Sequence, residues 1–393
     1  MELKDRIEKM SSSLFDELIG IRRHLHENPE LSFQEFETAK YLESILDSWN
    51  IKHYRVADTG VIAIIEGKED NGKSLVLRGD IDALPIQELT GLEFASKNDG
   101  VMHACGHDIH ATCVLGAAKM LNQLKNEFKG TVKVLFQPGE ELLPGGATKV
   151  IASGELDRPI PDAIIGQHVL PELKSGQVGF RVGRYMASSD EIYISILGSG
   201  GHAALTDQTE NIIYFAAKAI QRIQERIEKN APENMPTVIR FGKIEGLGAT
   251  NVIPNEVKIE GTLRTMDEDW RKLAHHMMRE ELEQIFHESK ARFELKIKHG
   301  YPVLFNHEEI TGQVQNFAKE YLGESKVVDL DIRMTVEDFA YYSQKYNTCF
   351  YRLGIGFEDS ETTKLHSPTF LANESSIKTG TGLMTYTALR YLA

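Results

Sequence analysis

Met102-His103-Ala104-Cys105-Gly106-His107-Asp108-Ile109-His110 gathers a thiol, three imidazoles and a carboxylate into one short stretch. Thiolate sulfur and imidazole nitrogen both bind zinc-like ions well, so Cys105 and His107 read as a pair of metal ligands. The competing reading is a buried, inert cysteine beside histidines at the start of a helix. Residues 111–124, rich in Ala, Leu and Met, predict that helix, opening near His107.

Outward from this stretch, apolar runs at 61–65, 75–77, 132–136 and 163–165 are too short for helices. They predict strands buried on both faces, as in a parallel sheet covered by helices. The second run leads into Arg78-Gly79-Asp80-Ile81-Asp82, the third into Gln137-Pro138-Gly139-Glu140-Glu141 and the fourth into Gly166-Gln167-His168. A further strand at 348–353 precedes a loop with His366. In open α/β sheets ligands bind beyond the carboxyl ends of strands, so these segments converge on one rim. Each has a plainer reading: Asp80 and Asp82 as turn caps, the glutamates as a solvated turn, His168 as a core histidine and His366 as loop. Helices are predicted from Leu14, Leu18, Ile21 and Leu25, capped by Ser11-Ser12-Ser13 and ending at Asn28-Pro29. Others are expected at 33–49, 308–322, 336–346 and from about Glu374.

Between residues 185 and 298 the pattern changes. Ile192, Ile194 and Ile196 alternate with Glu191, Tyr193 and Ser195. Val257, Ile259 and Leu263 alternate with Lys258, Glu260, Thr262 and Arg264, as in a sheet with one wet face. Ile212, Phe215, Ala216, Ala219, Ile223 and Ile227 form one stripe of an amphipathic helix, with a second helix at 270–289. Residues 185–298 therefore predict an inserted α+β domain, and 1–184 with 299–393 the domain that receives it.

At 393 residues the chain exceeds one ordinary core. Apolar residues at 41% and charged residues at 26% are ordinary for a globular protein. A net charge of -14 argues against nucleic acid or an anionic membrane as partner. No apolar run approaches the ~20 residues that span a bilayer. The charged N-terminus lacks the apolar segment of a signal peptide. Three scattered cysteines do not make a disulfide framework, so a reducing cytoplasmic setting is expected.

Metal-assisted hydrolysis would use the whole constellation. Two divalent cations need about six or more donor groups, and they lower the pKa of water from 15.7 toward about 7. A carboxylate outside the ligand set then takes the proton. Two adjacent glutamates suit such a division, one on metal and one free as base.

These residues carry a resemblance to the amidohydrolases of the aminoacylase/carboxypeptidase type, co-catalytic metallopeptidases of clan MH. The chain is most similar to the branch of hippurate hydrolases, N-acyl-amino-acid amidohydrolases and auxin-conjugate hydrolases. The likeness covers nearly all of it: Arg-Arg-His-Leu-His-Glu-Asn-Pro-Glu (22–30), Arg-Gly-Asp-Ile-Asp-Ala-Leu-Pro (78–85), His-Ala-Cys-Gly-His-Asp (103–108), Gln-Pro-Gly-Glu-Glu (137–141), Gly-Gly-His-Ala-Ala (200–204), Asn-Val-Ile-Pro (251–254), Glu-Asp-Phe-Ala-Tyr-Tyr (337–342) and Leu-His-Ser-Pro (365–368). The resemblance implies an α/β fold with a mixed, largely parallel sheet flanked by helices, and an inserted lid that dimerises. It implies metal ligands at Cys105, His107, Glu141, His168 and His366, with Glu140 as general base and Asp82 orienting the centre. It also implies that His202 reaches the reacting carbonyl, often from the partner subunit, and that Asn251 and Arg264 hold the substrate carboxylate.

The expected activity is cleavage of an N-acyl-L-amino acid, such as an N-acetyl or N-benzoyl amino acid, using two divalent ions. Zinc or manganese is expected, with cobalt or nickel as substitutes in vitro. A dipeptidase or small carboxypeptidase would use the same site, and a non-catalytic binding protein would keep only the fold. Two departures stand out. Many relatives have a ligand histidine where this chain has Asp80, and Thr206-Asp207 and Asn211 replace Pro-His and Asp-Pro in the lid.

Overall fold

The computed structural model describes residues 2–358 and 363–393. The chain opens with helices α1 (Leu3–Ser13), α2 (Phe15–Glu27) and α3 (Phe36–Ser48), then strands β1 (Lys52–Val56), β2 (Gly60–Glu66) and β3 (Ser74–Asp80). Next come α4 (His107–Gln123), β4 (Thr131–Gln137), α5 (Gly146–Ser153), β5 (Ala163–Lys174), β6 (Val178–Phe180) and β7 (Gly183–Met186). Then follow β8 (Asp190–Leu197), β9 (Gly201–His202), α6 (Ile212–Asn230), β10 (Val238–Glu245), β11 (Val252–Ile253), β12 (Glu256–Arg264), α7 (Glu268–Phe286) and β13 (Arg292–His299). The chain closes with β14 (Leu304–Asn306), α8 (Glu308–Leu322), β15 (Val327–Asp329), α9 (Ala340–Ser343), β16 (Thr348–Gly356) and α10 (Ser376–Tyr391).

Two compact units result: Met1–Gly183 with Phe305–Asp331 and Asp338–Ala393, and Arg184–Leu304 with Ile332–Glu337. The larger holds an eight-stranded sheet ordered β1-β2-β4-β3-β5-β16-β6-β15. Its centre, β4-β3-β5-β16, is parallel, so the carboxyl ends of these strands share one edge. β3 is buried along its whole length, as a strand covered on both faces must be. β2 departs from the parallel expectation. It pairs antiparallel with β1, because the short link from Val56 to Gly60 permits only a hairpin, and it pairs antiparallel with β4 as well. None of the helices is long and apolar enough to cross a membrane, among the described residues.

Two helix expectations and one strand expectation change. Ser11, Ser12 and Ser13 lie in the last turn of α1 instead of capping α2. The segment 336–346 yields only the four-residue α9. There the Asp338 side chain is committed to other segments, as described below. And β5 runs on through Val169 and Leu170, so His168 stands within the strand and not at its end.

The smaller unit is an antiparallel sheet ordered β10-β12-β8-β13, with α6 and α7 on one face. Ile192, Ile194, Ile196, Val257, Ile259 and Leu263 form its core with Ile212, Ala216, Ala219, Ile223 and Ile227 of α6. This is the alternation read from the sequence.

Candidate metal centre

Arg78 is wholly buried at the end of β3, and its guanidinium ties three segments together. Nη1 donates to Asp80 at 2.5 Å, Nη2 to Asp338 at 2.9 Å and Nε to Gln137 at 2.9 Å. Asp338 also accepts from Gln137 Nε2 at 2.8 Å and from the Ala147 N–H at 2.9 Å, which fixes the start of α5. Asp80 accepts from His110 Nδ1 at 2.5 Å. The Val169 N–H donates to His110 Nε2 at 2.8 Å, so that nitrogen is the acceptor and the ring proton sits on Nδ1. Burial opposes a charge on Asp80, but Arg78 and the neighbouring histidines hold its carboxyl well below the usual range.

Gly106 lets the chain enter α4. Its φ is +78°, and a Cβ there would stand 2.7 Å from Val169 Cγ2, so glycine alone fits. Cys105 and His107 flank it. Cys105 Sγ lies 3.4 Å from His168 Nε2. His168 donates from Nδ1 to the Val169 carbonyl at 2.8 Å, leaving Nε2 as the ring's acceptor, turned toward the thiol. His107 Nδ1 lies 3.2 Å from Asp82 Oδ1. The second Asp82 oxygen accepts from Ser32 Oγ at 2.7 Å and from the Glu141 N–H at 2.9 Å.

The glutamate pair is held from outside its own loop. Glu35 accepts from the Gly139 N–H at 2.7 Å and from Thr59 Oγ1 at 2.6 Å. The Asp338 N–H donates to Glu140 Oε1 at 3.2 Å. His366 is pinned through its own N–H to the Ala104 carbonyl at 2.9 Å and takes the left-handed φ of +59°. Strain of that kind in a non-glycine residue accompanies functional sites. Its Nε2 lies 3.3 Å from Glu141 Oε1.

Two donor triads share Cys105: Cys105, His107 and His168, and Cys105, Glu141 and His366, each with ligand atoms within 4.8 Å of one another. His107, Glu140 and Glu141 form a third such group, and Asp80, His107 and His110 a fourth. In the fourth, Asp80 and His110 are already spent on the bonds above. Among the described residues, buried His107 Nε2 has no hydrogen-bond partner, and buried Glu141 Oε1 has the His366 ring 3.3 Å away but no hydrogen bond. They lie 3.8 Å apart. A buried polar atom left bare is costly, and a cation between these two removes the cost.

The electrostatics agree. Burial weighs against charge on His107, yet Asp80, Asp82 and Cys105 outweigh it and push its pKa well above the ordinary value. Burial first, then the Glu141 carboxylate, pushes the Cys105 thiol up. His366 rises to about 10 through Cys105 and then Glu141. A thiolate, imidazoles and carboxylates are the donors that divalent transition ions take, so the residues fit such ions.

In the smaller unit, β9 pairs with β11, placing His202 opposite Val252 and beside Asn251. The Ala204 N–H lies 3.2 Å from His202 Nδ1, which fixes that nitrogen as acceptor, and the Ala203 N–H donates to the Asn251 carbonyl at 2.9 Å. Both side chains are exposed. Arg264, at the end of β12, is half-buried and donates to the Met334 carbonyl at 2.7 Å. Cys105, His107, Glu140, Glu141, His168, His366 and Asp82 are thus brought together in the larger unit, and His202 and Asn251 meet in the smaller. Sequence reasoning missed Ser32, Glu35 and the Asp338 carboxylate. All three lie far along the chain from what they hold, and no periodicity marks them.

Residues 76–390 match the peptidase family M20/M25/M40. The chain belongs to this family. The M20 chain is 40% identical over 367 residues to N-acetyl-L-cysteine deacetylase of Bacillus subtilis, covering 93% of this chain and 86% of that one. It is 38% identical over 307 residues to N-acyl-L-amino acid amidohydrolase of Geobacillus stearothermophilus, covering 78% and 82%. Among solved structures, a dinuclear metal binding peptidase of the M20 family from Bacillus subtilis superposes with a TM-score of 0.82 at 35% identity, covering 97% of this chain and 99% of that one. A putative aminohydrolase from methicillin-resistant Staphylococcus aureus superposes with a TM-score of 0.94 at 32% identity, covering 100% of both chains. The M20 chain is a metal-dependent hydrolase of amide bonds.

Proposed function

We propose that the protein hydrolyses N-acyl-L-amino acids, such as N-acetyl or N-benzoyl amino acids, to a carboxylate and a free amino acid. The observation that carries the reading is the pair of buried ligand atoms that make no hydrogen bond, His107 Nε2 and Glu141 Oε1, inside the donor cluster. Cys105, His107, Glu141, His168 and His366 hold two divalent ions, zinc or manganese. When bound, such ions polarise the scissile carbonyl and acidify water. Glu140 takes the proton of the attacking water as its oxygen bonds to the carbonyl carbon. It then returns the proton to the amine nitrogen as the C–N bond breaks. The Asp338 N–H orients the Glu140 carboxylate for both transfers. Asp82 keeps the His107 proton on Nδ1 and so leaves Nε2 for the ion.

Asn251 and Arg264 bind the α-carboxylate of the substrate, and His202 donates to the carbonyl oxygen as it gains charge. The smaller unit acts as lid and dimerisation domain. Its exposed Ile213, Tyr214, Ile244, Leu247 and Val252 favour a self-complementary contact, and sedimentation at micromolar concentration tests for the dimer. The three free, buried cysteines fit a reducing compartment.

The test is release of free amine by metal-reconstituted enzyme from acetyl, benzoyl and longer acyl amino acids, with dipeptides in parallel. Higher kcat/KM on acyl amino acids supports the proposal. Higher kcat/KM on dipeptides makes the enzyme a dipeptidase using the same site, and no turnover of either leaves a binding protein.

A further inference from the structure

In the segment Arg22-Arg23-His24-Leu25-His26 of α2, Arg22 and His26 have no part in the roles above, yet both reach the start of α4. Arg22, His26 and Asp108 are each at most 2% exposed. Arg22 Nε stands 2.8 Å from Asp108 Oδ2, and His26 Nδ1 donates to the same oxygen at 2.8 Å. The other Asp108 oxygen accepts from the Ile109 N–H at 3.0 Å. His26 Nε2 lies 3.2 Å from Glu88, whose carboxylate also accepts from the Ser96 N–H at 2.7 Å. Carboxylates face both imidazole nitrogens, and Arg22 Nη2 also stands 3.3 Å from Nδ1. Arg22 and Arg23 extend to Glu374 at 3.2 and 2.7 Å, and both guanidinium groups lie over Phe94.

Buried ion clusters stabilise a fold no better than apolar packing of the same volume, so stability alone does not explain this one. Its place does. Asp108 is the second residue of α4, directly after His107, and its carbonyl also accepts from Thr112 Oγ1 at 2.7 Å. Asp82 sets the rotation of the His107 ring, but nothing in that bond fixes the backbone that carries the ring. The ion cluster clamps that backbone, and with it Cys105 across Gly106.

We propose that Arg22, His26 and Asp108 are positioning residues, a buried latch that holds the first turn of α4 so that Cys105 and His107 stand in ligand geometry before ions bind. The inference rests on the ligand reading given above. A site ordered in advance binds more tightly, because binding does not have to order it.

The test uses the full-length apo protein and cobalt(II), titrated against a competing chelator well below the unfolding temperature. The variants are Asp108→Asn, His26→Gln, Leu18→Ala and His107→Ala. Leu18 is a fully buried core residue of α2 that packs near Gly116, farther along α4, and makes none of the latch's ion pairs, so Leu18→Ala lowers apo stability while leaving those ion pairs in place. Asp108→Asn and His26→Gln are expected to weaken cobalt binding by about 10–100-fold, with a changed thiolate-to-cobalt absorption band. Leu18→Ala is expected to stay within about twofold of wild type on the same scale. Should Asp108→Asn fail to fold, His26→Gln carries the same comparison. Wild-type cobalt affinity in the latch variants, or an equal loss in Leu18→Ala, overturns the latch. His107→Ala separates the two readings: loss of an ion keeps the ligand assignment standing whatever the latch variants do. Wild-type ion content in His107→Ala overturns that assignment and the latch with it.

Discussion

Asp82→Asn is a change of one atom whose effect can be worked out from the hydrogen bonds. Asp82 Oδ2 accepts from two donors, Ser32 Oγ and the Glu141 N–H, while Oδ1 faces only His107 Nδ1. The asparagine amide therefore turns its nitrogen to the side with a single donor. There it meets the Nδ1 proton of His107. The ring must then move that proton to Nε2, the bare atom assigned to the ion, or accept two donors face to face. Either way one hydrogen bond to a charged acceptor is lost, a cost of about 1.5–3 kcal/mol, or roughly 10–150-fold in metal affinity. Chelator competition on the purified variant reads this directly. Activity should fall steeply at limiting metal and recover substantially when metal is in excess. Metal affinity within about twofold of wild type would refute the tautomer argument.

Other outcomes follow from the same geometry. If Cys105 is a ligand, metal should shield its thiol from alkylation and chelation should expose it; equal labelling of apo and loaded protein would return Cys105 to inert burial. Converting a good substrate to its methyl ester should cost at least about tenfold in kcat/KM, and Arg264→Ala should reduce turnover of the acid far more than of the ester; equal losses would leave Arg264 structural. In the smaller unit, burial opposes the charge on Asp190, but bonds from Arg271 at 2.6 Å and His275 at 2.6 Å bring its pKa down to about 2. A depressed carboxyl contributes stability above its unfolded pKa of about 3.9 and loses it as pH falls through the folded value. Asp190→Asn should therefore cost about 1.5–3 kcal/mol at neutral pH, because Arg271 loses its Asp190 carboxylate while keeping Glu268 and the Ser189 and Gly300 carbonyls. The gap from wild type should narrow between pH 4 and 2; a gap independent of pH in thermal unfolding would contradict the charge argument.

Much of the site was legible because its chemistry sits beside strong strand signals. The apolar runs before Asp80, Glu140 and His168 are buried strands of one sheet, and the alternation in β8 and β12 marks a separate one-faced sheet. What the sequence hid was long-range pairing. β2 is as apolar as β3, and nothing in its composition says that it runs antiparallel to its neighbours. His168 looked terminal because Gly166-Gln167-His168 interrupts the apolar run, but β5 continues along β16 through Leu170. Glu35 acts on Gly139 from 104 positions away, and Asp338 on Ala147 from 191. Such contacts are set by the folded sheet edge, and an isolated Glu or Asp in a loop carries no local mark of them. The same distance explains the short α9: the Asp338 carboxylate is drawn to Arg78, Gln137 and Ala147.

The catalytic reading stands or falls on the division of labour between Glu140 and Glu141. A glutamine in place of Glu140 can keep the bond from the Asp338 N–H through its carbonyl oxygen, but it has no lone pair basic enough to take a proton. The decisive measurement is metal content and turnover on one preparation of Glu140→Gln. The expected result is metal content near wild type with kcat lowered by roughly 100–10,000-fold. A variant that loses its metal, or that keeps most of its turnover, would contradict that division.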